Sequence, residues 1–397
     1  MKAKMSHEAL TETARKRRKE DTMANGKEGS NSGNSPSSIP AEAIADKGIV
    51  RQAIKSYNNQ DWLHSRSARE VRILCEYLEV EDRLRMQKVL GTFLLFGSAR
   101  SRSPEQWQKL MSEAQERLKD PSTAAQAEED VQRLKKIEWM CPYWQKIKNL
   151  SGMLMQWIQT EEARQAVARL LREIPAPVGG SGHQYSAGDV AAVTDLSEPC
   201  PVAICTGGGP GMMEAGNSGA ASVAGGRSMG MGISLPFEAG LNPFVDEGLA
   251  FEFHYFFTRK FWMVYSALGV IVAPGGVGTL DELMEVLTLK QSGKMKRDIP
   301  IVLFGKQFWK DIICFDKLVE YGVVSEKDRD QLFYTDDENE AFEYLKQFLL
   351  NDKLVLGDQY VHKSLRHAAP GSRGSTSQSA SPAGVIQGRG ADYTESI

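Results

Sequence analysis

Residues 201–214 read PVAICTGGGPGMME: a short apolar run that breaks into glycines and then into helix-forming residues. Pro201–Thr206 is a short, predominantly apolar run, which suits a strand buried on both faces, as in a parallel sheet. Gly207, Gly208, Gly209 and Gly211 then form a loop whose missing Cβ atoms permit positive φ and a close approach of ligand to backbone. The helix expected behind it, with Met213 and Glu214 in its first turn, presents unpaired N–H groups and a partial positive charge. Together these favour an anion.

The same strand–loop–helix pattern recurs downstream. A strand over Gly269–Ala273 runs into Pro274-Gly275-Gly276-Val277-Gly278-Thr279, where Thr279 adds a hydroxyl, and a helix follows over 279–291. Working outward, further strands are expected at 92–96, 228–235 and 300–304, and helices at 211–224, 255–267 and 307–321. Such alternation implies an α/β fold: a doubly wound, Rossmann-like parallel sheet with right-handed crossovers. Val71, Leu74, Cys75 and Leu78 recur at helical spacing within 49–90, and helical stretches continue to about 174, giving a helical N-terminal extension. Residues 175–199 read as a surface insertion with little structure of their own. The domain is expected over 46–362, with an insertion at about 161–199, between disordered tails at 1–45 and 363–397 that are too polar to offset ordering entropy. The run Arg15–Lys19 in the first tail reads either as a solvated basic stretch or as a contact for an anionic surface.

Bulk properties exclude several classes. Of 397 residues 41% are hydrophobic, and 48 basic against 51 acidic side chains leave a net charge of −3, with no basic excess to suggest nucleic-acid binding. The five cysteines form no CxxC pair and have no histidine at zinc-ligand spacing, so neither a disulfide framework nor a metal centre is expected. No apolar run approaches the ~18–20 residues that span a bilayer, and no secretory signal opens the chain. The expectation is a cytoplasmic protein that needs neither membrane nor nucleic acid and uses no cofactor or metal.

Two glycine loops at strand-to-helix junctions point to a phosphate site at the carboxyl ends of the strands, although either loop alone suits a purely structural turn. There is no GxxxxGK[ST] for a triphosphate, and GGGPGMME lacks dinucleotide spacing. A monophosphate held by backbone N–H groups needs neither feature. The candidate phosphate- and nucleotide-binding residues are therefore Gly207, Gly208, Gly209, Gly211 and Met213 of the first loop, with Gly275, Gly276, Val277, Gly278 and Thr279 of the second. Beyond the second loop, Glu282 and Glu285 share a helix face, with Glu282 where the sugar of a bound nucleotide would fall. Asp281 reads as a complement to the helix dipole. Arg259 and Lys260 break an apolar helix after Phe251–Phe257, so they either form a structural ion pair or face a phosphate and leaving group. The aromatics there suit core or interface packing, and His254 an ordinary, partly buried histidine.

These segments resemble the LONELY GUY (LOG) family of nucleotide phosphoribohydrolases, whose members are often labelled lysine decarboxylases. The resemblance runs from Trp62 to about Phe315 through FGSAR (96–100), TGGGPGMMEAGNSGA (206–220), LPFE (235–238), NPFVDE (242–247), FHYFFTRK (253–260) and PGGVGTLDE (274–282). The aromatic FHYFF is similar to the longer, bacterial-type branch. What the resemblance implies is hydrolysis of the N-glycosidic bond of a nucleoside 5′-monophosphate, AMP-like or a cytokinin riboside monophosphate, to free base and ribose 5-phosphate. It places the catalytic pair on Arg259 and Glu282, and it implies a homodimer or higher homo-oligomer with sites near the interface. Thr258 departs from the short members, which carry a glutamate there, and bears on base recognition. The competing reading is a binding or carrier protein that holds a nucleotide or phosphorylated cofactor without hydrolysing it. A scaffold that has lost activity is a third.

Overall fold

The apolar runs form strands because each must bury both faces, and they assemble into a parallel sheet of seven strands in the order β4-β3-β2-β1-β5-β6-β7. The structure, a computed structural model, describes residues 53–173, 187–235, 240–295 and 298–351. The strands are β1 Gly91–Phe96, β2 Val202–Thr206, β3 Ser228–Ile233, β4 Ala250–Phe253, β5 Ala267–Val272, β6 Ile301–Phe304 and β7 Leu332–Thr335. Every adjacent pair is parallel, and β1 lies between β2 and β5. The chain divides into two compact units, Met1–Leu63 and His64–Ile397. In the first, the described residues form a 3₁₀ turn at Ser56–Asn58 and the short helix α1, Gln60–Leu63. All that follows concerns the second.

Thirteen further helices, among the described residues, cover the sheet: α2 Arg69–Met86, α3 Pro104–Arg117, α4 Ala124–Ile137, α5 Cys141–Trp157, α6 Glu161–Glu173, α7 Ala187–Thr194, α8 Met212–Ala221, α9 Phe256–Tyr265, α10 Val277–Gln291, α11 Lys306–Ile312, α12 Phe315–Glu320, α13 Glu326–Arg329 and α14 Glu338–Leu350. Two separate cores show that both faces are buried. Phe93 and Leu95 of β1 join Ile204 and residues of α5, α6, α8 and α14 in one; Leu94 and Phe96 join Cys205 and residues of α2, α9, α10 and α11 in the other. This is the doubly wound α/β architecture expected from the alternation. From β1 the chain builds β2, β3 and β4 to one side and then returns to place β5 on the other. The order therefore reverses beside β1, and a ligand crevice belongs at its carboxyl end.

Several elements differ from expectation. Part of the stretch 175–199 is helical: α7 buries Val193, and its carboxyl end is held by Arg164, a buried arginine of α6. Arg164 donates to the carbonyls of Asp195 at 2.6 Å and Glu198 at 3.0 Å. α7 is only eight residues long, too short to show an apolar period, so its sequence reads as loop. The helix expected over 307–321 is two, α11 and α12, broken at Ile313, whose backbone is extended. Trp309 and Phe315 stand six apart and would diverge on one continuous helix; the break lets both reach the same core. The edge strands β4 and β7 and the helix α14 were not anticipated. The expected tails lie outside the described residues; among the described residues no helix is long and apolar enough to cross a membrane.

Candidate active site

Three loops meet at the carboxyl ends of β1, β2 and β5. The loop after β1 is the wedge between the other two: Ser98 N donates to Pro274 O at 2.9 Å, and Ser98 O accepts from Met212 N at 3.0 Å. The fit leaves no room for a side chain on the first glycine loop. Gly211 has φ +75°, and a Cβ there would stand 2.2 Å from Ser98 O. Gly208 has φ +73° and would strike Leu241. The glycines are thus required both by conformation and by close approach.

Arg259 links the first glycine loop to the helix behind the second. It lies in the first turn of α9, donates from Nε to Met231 O at 2.8 Å, and lays its guanidinium against Gly207, where a Cβ would be 2.5 Å from Nη2. Its Nη1 stands 3.9 Å from Glu282 Oε1 on α10. At that separation the pair attract as charges without a hydrogen bond. Glu282 is 7% exposed, and its Oε2 has no hydrogen-bond partner. Burial is the main influence on this carboxyl and pushes its pKa up to about 7; Arg259 and Lys260 pull it down, while Glu285 and Asp281 push it further up. A buried carboxyl with an unpartnered oxygen is costly, and such groups concentrate where chemistry is done.

Lys260, one residue on, is drawn the other way. Its Nζ lies 2.7 Å from Asp281 and 2.8 Å from Glu285. Burial alone would lower its pKa, but hydrogen bonds to those two carboxylates and the charge of Glu282 outweigh it and hold the ammonium above its ordinary range. Both sequence readings of Arg259 and Lys260 therefore have a counterpart: Lys260 is in an ion-pair cluster, and Arg259 stands at the junction of the loops.

The structure gathers most of the candidate residues. Met213 lies over the first loop, its thioether 2.9 Å from where a Gly207 Cβ would be. In the second loop Gly276 and Gly278 face open space, Val277 is 85% exposed, and the Thr279 hydroxyl is tucked against Gly275. His254 is exposed, not partly buried, because it lies just past the end of the edge strand β4; its backbone N–H donates to Glu76 of α2 at 2.8 Å. Glu76 also accepts from the Thr258 hydroxyl at 2.6 Å. A carboxylate thus stands beside position 258, supplied by α2 from 182 positions away. Sequence reading missed this contact, and also the Asn217–Asn242 hydrogen bond beneath the first loop. Among the described residues no group of three or more His, Cys, Asp or Glu side chains is placed to hold a metal.

Fold and site together define a doubly wound α/β protein with paired glycine loops, beside which a partly buried arginine faces a buried glutamate. A family model described as "possible lysine decarboxylase" matches residues 213–345, which span Met213, Arg259, the second glycine loop and Glu282. That match supports identification at the level of the LOG family, and with it enzymatic, phosphoribohydrolase-type function in general terms. No curated protein matches the chain. Among solved structures, an X-ray structure of the structural-genomics target TM1055 is 23% identical, over 37% of this chain and 78% of that one, with a TM-score of 0.27. A similarity at that score carries no argument.

Proposed function

We propose that this chain hydrolyses the N-glycosidic bond of a nucleoside 5′-monophosphate, releasing the free base and ribose 5-phosphate. The observation that carries the reading is Glu282: a buried carboxyl with one oxygen unpartnered, 3.9 Å from Arg259, on the helix behind a glycine loop. The phosphate takes the backbone N–H groups of the two loops, as the helix termini there favour an anion. As the C1′–N bond lengthens, positive charge grows on the ribose, and the Glu282 carboxylate stabilises it. Water attacks C1′ and gives a proton to Glu282, while the departing base takes a proton at nitrogen from solvent. A guanidinium is a poor proton donor but a strong fixed charge, so the role of Arg259 is electrostatic, toward the phosphate or the leaving base.

The decarboxylase description implies pyridoxal phosphate, whose Schiff base needs an unprotonated lysine amine. Lys260, the lysine at this site among the described residues, is held as an ammonium between two carboxylates. The residues do not fit that cofactor.

Assembly into a homodimer is supported by an exposed aromatic stripe on α9, Phe257, Phe261 and Tyr265 at spacings of four, 58%, 40% and 53% exposed. Membership of the longer branch, an AMP-like or cytokinin-type base, and a cytoplasmic location belong to the same proposal. The test is incubation of the purified protein with a panel of nucleoside monophosphates, assaying free base and ribose 5-phosphate. Release that is lost in Glu282→Gln while nucleotide binding survives is the expected outcome. Tight binding without release across the panel would overturn it in favour of a carrier.

A further inference from the structure

We infer that Asn242 is the positioning residue that sets the hydrogen-bonding direction of the first glycine loop, and so its affinity for phosphate; the inference rests on the proposed anion site. Asn242 sits in the segment between β3 and β4, away from both loops in sequence. Its side-chain Nδ2 lies 3.0 Å from Gly208 O, 3.0 Å from Gly209 O and 2.9 Å from Asn217 Oδ1. Its own backbone N–H donates to Gly208 O at 2.7 Å. The orientation of the amide is fixed by its surroundings: Oδ1 accepts from Phe244 N at 3.2 Å, and a flipped amide would set that oxygen against three others.

Behind Asn242 the network is closed. Asn217, fully buried on α8, accepts at Oδ1 from Thr206 Oγ1 at 2.6 Å as well as from Asn242. Its Nδ2 donates to Ser228 Oγ at 2.9 Å and to Met229 O at 3.0 Å. Both donors and both acceptor positions of that amide are used, so it cannot swing to serve another role. Thr206 Oγ1 in turn accepts from Gly208 N at 2.9 Å.

The consequence for the loop follows from peptide geometry. In a planar trans peptide the C=O of one residue and the N–H of the next point in opposite directions. Both N–H contacts from Asn242 hold the Gly208 carbonyl inward, so the Gly209 N–H is turned outward, away from the clamp. A donor on Asn242 is therefore what presents a donor on Gly209 to an anion. An aspartate at this position is an acceptor only when ionised and would face Gly208 O, Gly209 O and Asn217 Oδ1 with nothing to give. The main-chain N–H of residue 242 would remain as the sole hold on Gly208 O, opposed by the carboxylate, and the direction of the Gly209 N–H would be less firmly set.

The experiment uses the full chain and its Asn242→Asp and Asn242→Ala variants, with unfolding midpoints recorded for each. Calorimetric titration with AMP and, separately, with inorganic phosphate gives the affinities, and hydrolysis gives kcat and KM. Expected is at least a tenfold loss of affinity for both ligands in Asn242→Asp, a smaller loss in Asn242→Ala, and a rise in KM with kcat little changed. Equal binding in wild type and both variants overturns the inference and leaves the nucleotide reading standing. So does a loss for AMP that inorganic phosphate does not share, since the phosphate subsite would then be intact. If Asn242→Asp does not fold, unchanged affinity in Asn242→Ala overturns it, and the smaller loss supports it. Failure of the wild type to bind either ligand would instead sink the nucleotide reading, and this inference with it.

Discussion

Glu282 is a carboxyl whose surroundings and whose proposed task pull in different directions. Burial pushes its pKa up to about 7, while stabilising positive charge requires it to be ionised. Turnover is therefore expected to rise about tenfold per pH unit below a midpoint near 7 and to level off above it, in a pH profile of kcat/KM. Glu282→Gln is expected to lower kcat by roughly 10²-fold or more and to abolish that rising limb. The same shift has the opposite sign for stability. A carboxyl whose folded pKa lies above its unfolded one costs nothing when protonated and penalises the fold once ionised. The penalty begins above the ordinary value of 4.5 and is complete above about 7. Glu282→Gln should thus be more stable than wild type by roughly 3 kcal/mol at pH 8 and by under about 1 kcal/mol at pH 5, read from denaturant titrations. Equal stability of the two proteins at pH 8 would show that the carboxyl carries no such burden. At this scale the nearness of Arg259 to Glu282 could be expected from local motifs. The sequence was silent on Glu76 and Asn242, whose partners lie 182 and 34 positions away.

Elements were legible in proportion to their length and apolar pattern. The strands flanking the glycine loops could be read because they are buried on both faces and end abruptly. β4 could not, since AFEF is short and lies at an edge of the sheet. α7 is the clearer lesson, because a side chain on another helix holds it. Arg164 is 3% exposed and spends its charge on carbonyls at the end of α7, with its Nε left unpartnered. No spacing rule within 187–194 contains that contact. Arg164→Met, which keeps the aliphatic length and removes the donors, is expected to destabilise the protein by about 2 kcal/mol. Hydrogen exchange should rise first in amides 190–199; a uniform rise across the sheet would mean that Arg164 supports the core at large and not this element.

For the molecule as a whole, the exposed rings of α9 make a prediction about assembly. Tyr77 of α2 packs on Phe261 with ring centroids 5.3 Å apart, and Phe261 stacks on Tyr265 at 5.3 Å, so the patch is continuous across two helices. The protein is expected to sediment as a dimer, and Phe261→Glu as a monomer, in analytical ultracentrifugation. Wild type running as a monomer at micromolar concentration would refute this. Phe261 lies one residue beyond Lys260 and two beyond Arg259, so a partner seated there would stiffen the turn that carries the proposed catalytic arginine.

The place of β1 at the centre of the sheet also has a temporal meaning. Thr92 pairs with Ala267, 175 positions later. At a synthesis rate of about 5–20 residues per second, a nascent β1 waits roughly 9–35 s for that neighbour. During this interval β1 has one hydrogen-bonding edge open, and the face carrying Leu94 and Phe96 lacks the residues of α10 and α11 that complete its core. The central strand is thus the first to be made and the one that waits longest for its second neighbour, which makes it a segment of the newborn chain suited to a holding chaperone.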